Sequence, residues 1–376
     1  MMRTLFAVGV LAVAATARSQ VDCSNPDNLC TGDPCVIPPI EVQVPCVVDF
    51  GTRTLEIPGI LRVPAGPQPN NDVSFTAGRI EIRGGIRIAR GRLPDVPGEV
   101  TLTAINDFVS PGRYSAPPGP RFHMFAGGNI DLQARVRRNT LGTVEAGGTL
   151  SLPAGPTLQT CEPLRGAGGV AVGRRIRCAT GSTLEISSSA GGVTLEATID
   201  VRAPASNPSG LAVSAAGDVI TNILPLMGGD ISLVSTGGFV FVSSPIRATQ
   251  IQIAAAGDVT VGRELFAHPG DITIQGAGVD VPTTGRLDAS GSGFGAGDVR
   301  VTATAADLTL GGAFSAQGES GTPGGVIEGV AAGNVVANGV FDATGIPPGC
   351  ISFQAGGTVD TSGGSFDPAL VPDCPG

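Results

Sequence analysis

The chain has 376 residues, with 23 basic and 32 acidic side chains, a formal charge of −9, and arginine as its sole basic residue besides two histidines. An acidic chain with one tyrosine and no tryptophan excludes nucleic acid as an expected partner. No phosphate loop, dinucleotide fingerprint or Gly-x-Ser-x-Gly elbow occurs, so no cofactor is expected.

Residues 1–19 have the pattern of an export signal. Arg3 supplies a positive start, Leu5 to Ala15 is apolar, and Ala15-Thr16-Ala17 is a small-x-small cleavage pattern. No segment has the roughly 20 uninterrupted apolar residues of a membrane helix. The expected chain is therefore secreted, extracellular or at an outer cell surface, and its Ala/Gly-rich, lysine-free composition points to a bacterium.

Residues 20–46 hold Cys23, Cys30, Cys35 and Cys46 and are expected to close among themselves as an N-terminal cap. Eight cysteines fit an oxidising compartment. The spacings lack a C-x-x-C pair and no histidine is near, so no metal site is expected. Cys161 with Cys178, and Cys350 with Cys374, are expected to pair locally.

From 47 to 349 the chain reads as coils. Val73-Ser-Phe75, Ile80-Glu-Ile82 and Ile86-Arg-Ile88 form three sides of one coil, each with inward residues at every second position. Pro-rich stretches at 94–97, 111–120 and 153–163 are expected to leave the coil as loops, because proline cannot donate to a ladder. After residue 211 the units become regular, 20 to 27 residues apart. Their first sides begin at Leu211, Ile231, Ile251, Ile272, Val299, Val326 and Ile351, and their second sides use Val219, Phe239 with Phe241, Val259 and Val279. Gly-Asp, Gly-Gly and Gly-Asn pairs stand between sides, where glycine is expected to take positive φ and Asp or Asn to bond its own turn. Residues 350–376 are expected to form a C-terminal cap. The predicted fold is all-β, a right-handed single-stranded parallel β-helix of 12 or 13 coils with disulfide-stapled ends.

The A-x-G-D-V units and Phe341-Asp342-Ala343-Thr344-Gly345 resemble bacterial β-helix exoproteins of the filamentous-haemagglutinin and adhesin type. That resemblance implies a surface-associated structural protein, and it concerns architecture alone.

Two sets of residues are candidates for chemistry. Residues 51–180 contain 16 arginines against 9 acids, and residues 181–376 contain 5 against 18. In the basic half Arg79, Arg83, Arg87, Arg135 and Arg137 fall between inward positions. They are expected to form outward rows that hold an anionic polysaccharide or cell-surface glycan. The alternative is a polysaccharide lyase or glycoside hydrolase. Its carboxylates would be Asp288 and Asp342, two coils apart on the third side with Ser315 between them, about 9.6 Å.

Overall fold

The computed structural model describes residues 20–67, 71–91, 95–96, 98–117, 121–136, 141–178, 182–202, 209–222, 224–291, 295–319 and 321–374. The expected export signal (1–19) and Arg137 lie outside the described residues.

The chain is an all-β parallel solenoid of three sides. Fourteen strands stack on the first side, from Cys46–Asp49 to Cys350–Ala355, and fifteen on the second, from Cys35–Val36 to Val359–Asp360. The third side is two sheets: six strands from Gln20–Val21 to Arg135–Val136, then ten from Leu158–Gln159 to Ser365–Asp367. About 14 coils result, more than the 12 or 13 expected. The Cys-rich segment itself supplies rungs, Cys35–Val36 pairing with Leu55 and Glu56, and Gln20–Val21 with Glu41–Val42. At about 4.8 Å per coil the rod is about 65 Å long.

Alternation creates the core. Ile80, Phe108, Ile130, Leu150, Val170, Val193, Val219, Val240 and Val259 form one inward row on successive coils, all buried. On the third side Phe314, Phe341 and Phe366 stack nearly parallel, with centroids 4.7 and 5.1 Å apart. In the coil that holds Phe239 and Phe241 the inward residues are instead Val240 and Val242, and both phenylalanines are exposed. A one-residue slip exchanges the two faces of a strand, and pairing of Val240 with Val219 and Val259 fixes the observed register. Likewise Ile327, not Val326, pairs inward with Val299.

The proline-rich segments are only partly loops. Arg113–Ser115 lies between Pro111 and Pro117 as a third-side strand, and Leu158–Gln159 does the same inside 153–163. Two or three residues between prolines are enough for a rung, since no proline is asked to donate within it. Asp95–Val96 leaves the coil and pairs antiparallel with Gly66–Pro67 from the coil before.

Corner chemistry also differs from the expectation. The repeated corner glycines keep ordinary φ, and what they supply is space. A Cβ on Gly297, Gly325 or Gly349 would lie 2.0–2.2 Å from the carbonyl oxygen of the preceding coil's glycine. The corner Asp and Asn side chains bond the next coil, not their own turn. Asp107 Oδ1 accepts from Asn129 N at 2.8 Å, and Asn129 Oδ1 accepts from Thr149 N at 2.9 Å. Asp218, Asp258, Asp307 and Asn334 repeat that bond further along, and Asp271 and Asp298 make it at the corner from third side to first. These carboxylates tie coil to coil.

The break in the third side, between Val136 and Leu158, is filled by a buried arginine. Arg174 is 1% exposed, and it donates through Nη1 to Ala134 O at 2.7 Å and through Nε to Pro153 O at 3.0 Å. Burial pushes its pKa down from the ordinary arginine value. Beside the break, the Cys161–Cys178 disulfide joins two successive coils across 17 residues.

The ends carry the other disulfides. Cys23–Cys46 and Cys30–Cys35 close the N-terminal segment. At the other end Cys350–Cys374 folds the tail over the last coil, where Val371 N donates to Ile351 O at 3.0 Å.

Candidate functional site: an arginine groove on the third side

The six-stranded part of the third side has arginines on its outer positions. Register places Glu41, Arg62, Arg87 and Ser115 in one column on successive coils. Two residues earlier along the strands, Ile60, Gly85, Arg113 and Arg135 form the neighbouring column. Inward alternation of Leu61, Ile86, Tyr114 and Val136 fixes these side chains outward. A groove of about 800 Å³ runs over them and is lined by Arg62, Arg87, Arg90, Arg113 and Arg135, with Glu41 as its carboxylate.

None of these five arginines has a carboxylate within 4.0 Å among the described residues. Glu41 stands one coil from Arg62 in the same column, and the strands that carry the arginines lie about 4.8 Å apart. Like charges on neighbouring strands repel, so an anion laid across them gains attraction and relieves repulsion together. Guanidinium groups present paired donors that match carboxylate and sulfate oxygens.

Tyr114 lies beneath the groove. It is buried, packs edge-on against Phe122 at 5.1 Å and shares a 2.6 Å hydrogen bond with the Ser110 hydroxyl. Burial pushes its phenol upward, so it stays protonated at neutral pH.

Of the five arginines singled out from the sequence, the groove brings together Arg87 and Arg135. Arg79 stands on the second side, and Arg83, just past the end of that side, pairs with Glu81 at 2.6 Å. Arg62, Arg90 and Arg113 complete the site, and Arg113 was obscured by its flanking prolines.

Asp288, Ser315 and Asp342 do share one column on the third side. Their carboxylates are occupied. Asp288, 5% exposed, accepts from Arg286 Nη2 at 2.6 Å and from Ser290 N at 3.1 Å. Asp342 accepts from Thr344 N at 3.1 Å, from the Thr344 hydroxyl at 2.8 Å and from Gln317. In each case the backbone donor is two residues on, which is the geometry of an Asx turn. Phe266 precedes Asp288 in the same outer column and stacks on His268 with a centroid separation of 6.1 Å.

Among the described residues no cluster of three His, Cys, Asp or Glu side chains could hold a metal, and no helix is long and apolar enough to cross a membrane. Comparison with protein-family models, curated proteins and solved structures gives no match. The class that fold and site define is thus a disulfide-stapled parallel β-solenoid with an arginine-lined groove.

Proposed function

We propose that the protein is an exported, adhesin-like structural β-helix whose arginine groove holds an anionic polysaccharide. Four disulfides and a membrane-helix-free described chain fit an extracellular or otherwise oxidising compartment. The observation that carries the glycan reading is the set of five exposed or half-exposed arginines, on four successive coils, without a carboxylate within 4.0 Å among the described residues. Stacked strands make a rigid platform, so the protein itself loses little entropy when an extended polymer settles on it.

The test is retention of the full chain on polygalacturonate and on heparin over a sodium chloride series, beside single-stranded DNA and anionic vesicles. Expected is salt-sensitive retention by the polysaccharides, weakened at least about tenfold in Arg87→Ala/Arg113→Ala and unchanged in Arg263→Ala. Equal retention of the three proteins, or retention by DNA or vesicles alone, would overturn the proposal.

A second reading, a glycoside hydrolase at Asp288 and Asp342, is favoured by Phe266, which gives that column an aromatic surface for a sugar ring. Depolymerisation of a neutral or anionic glycan that disappears in Asp288→Asn and Asp342→Asn would establish it. An activity that survives both substitutions would remove it.

A further inference from the structure

The arrangement of cations in the groove carries more than their number. Arg62 and Arg87 share one column, whereas Arg113 and Arg135 share the next, displaced two residues toward the strand starts. The row therefore steps sideways once, between the coil of Arg87 and the coil of Arg113. At that step the flanking positions are small: Gly85 stands beside Arg113, and Ser115 beside Arg87. Gly85 tolerates no side chain, because a Cβ there would sit 2.1 Å from Arg113 O and its φ is +142°. A low point thus lies between Gly85 and Ser115, where the line from Arg87 to Arg113 crosses, and Ala89, Ala116 and Pro117 line the groove as well.

From Arg62 to Arg135 the path covers three coil steps, about 14 Å, and one sideways step of about 7 Å. Its ends differ. Glu41 closes the Arg62 end of its column, since a negative group there repels an anionic chain. Beyond Arg135 the six-stranded sheet stops at the break filled by Arg174. Among the described residues the four arginines in register thus end with the six-stranded sheet, and the next exposed third-side arginine, Arg177, belongs to the second sheet beyond the break.

Resting on the glycan reading above, we infer that the groove binds a linear polyuronate of about four sugar residues. The chain lies obliquely to the rod axis, with one carboxylate for each of Arg62, Arg87, Arg113 and Arg135, and crosses the low point at Ser115. A linear uronan fits because it carries one carboxylate per ring, and one ring advances by about one coil. A nucleic-acid strand fits poorly, since Tyr114 is buried and the groove offers no exposed aromatic face for bases.

The experiment is calorimetric titration of the full chain with oligogalacturonates of two to eight residues, beside the polymer. Affinity should rise at least tenfold from dimer to tetramer and change less than threefold from tetramer to octamer, at one oligomer per chain. Ser115→Phe fills the low point without altering charge. It should weaken the tetramer at least tenfold while retaining the wild-type thermal midpoint. Affinity already complete with the dimer, or climbing steadily to the octamer, would overturn the four-residue register even if the polymer binds. Unchanged tetramer binding in a folded Ser115→Phe protein would overturn the oblique path. Failure of the polymer itself to bind would instead sink the glycan reading.

Discussion

The two halves of the rod differ in where they leave the same residue, arginine, without an acidic partner. After residue 181 there are five arginines, and four are ion-paired: Arg202 with Asp200, Arg247 and Arg286 with Glu264, Arg286 also with Asp288, and Arg300 with Asp298 and Glu328. Before it, Arg53, Arg83, Arg121, Arg165 and Arg175 are paired as well, but Arg62, Arg87, Arg113 and Arg135 meet on one face without such partners among the described residues. Both halves are built on the same inward alternation, so the core does not require this difference. Unpaired charge is a property of the outward columns. It marks where the surface is free to take a counter-charge from another molecule.

The halves also differ in how they hold their third side, and substitutions can sharpen that contrast. The largest effect should come from Phe341→Ala in the regular half, which removes the middle ring of the Phe314–Phe341–Phe366 stack. A loss of about 3–5 kcal/mol is expected from denaturant unfolding. A loss under about 1 kcal/mol would mean that the stack collapses without cost. Next, Arg174→Ala in the interrupted half strips two backbone carbonyls of charged donors, at about 3 kcal/mol by the same measurement. Should Arg174→Ala be neutral, the break is closed by backbone alone. Removing the neighbouring staple, Cys161→Ser/Cys178→Ser, should cost about 3 kcal/mol for its 17-residue loop. Loss of a corner bond is smaller: Asp307→Ala frees Asn334 N and should cost about 1 kcal/mol.

The smallest effect is one of pH. The guanidinium of Arg202 beside Asp200, through a side-chain hydrogen bond, holds that carboxyl below its ordinary range. A depressed carboxylate pKa stabilises the fold above the unfolded value, about 3.9. That contribution disappears as pH falls through the lower folded value. Thermal midpoints of wild type and Asp200→Asn should therefore differ at pH 7 and converge in acid below about pH 3.9. A gap that stays constant down to pH 2 would remove the carboxylate's charge from the explanation.

Much of the fold is legible in the sequence because inward residues recur at every second position and the unit recurs every 20 to 27 residues. Where two neighbouring positions are both apolar, as in Phe239-Val240-Phe241-Val242, alternation alone does not say which pair faces in. The neighbouring coils settle it. The corner aspartates stand out in sequence, but their partners are amides 20 to 28 residues away, and only stacking brings those close. Arg174 follows glycine in a basic stretch and looks like any surface arginine; nothing local announces a break in the third sheet. For the groove, counting arginines points to the half of the molecule that carries it. It does not distinguish Arg79 on the second side from Arg87 on the third, since adjacent sides are only a corner apart in sequence. Arg113 needed the pairing of Arg113–Ser115 with Gly85–Ile88, which its prolines conceal.

The central claim is that the third side of the basic half is where a polyanion lies. Hydrogen–deuterium exchange of the full chain with and without polygalacturonate tests it directly. Slowed exchange should be confined to the strands Ile60–Val63, Gly85–Ile88, Arg113–Ser115 and Arg135–Val136 and their corners. Slowed exchange centred on Arg286–Asp288 and Val340–Asp342, or no change with polymer bound, would contradict it.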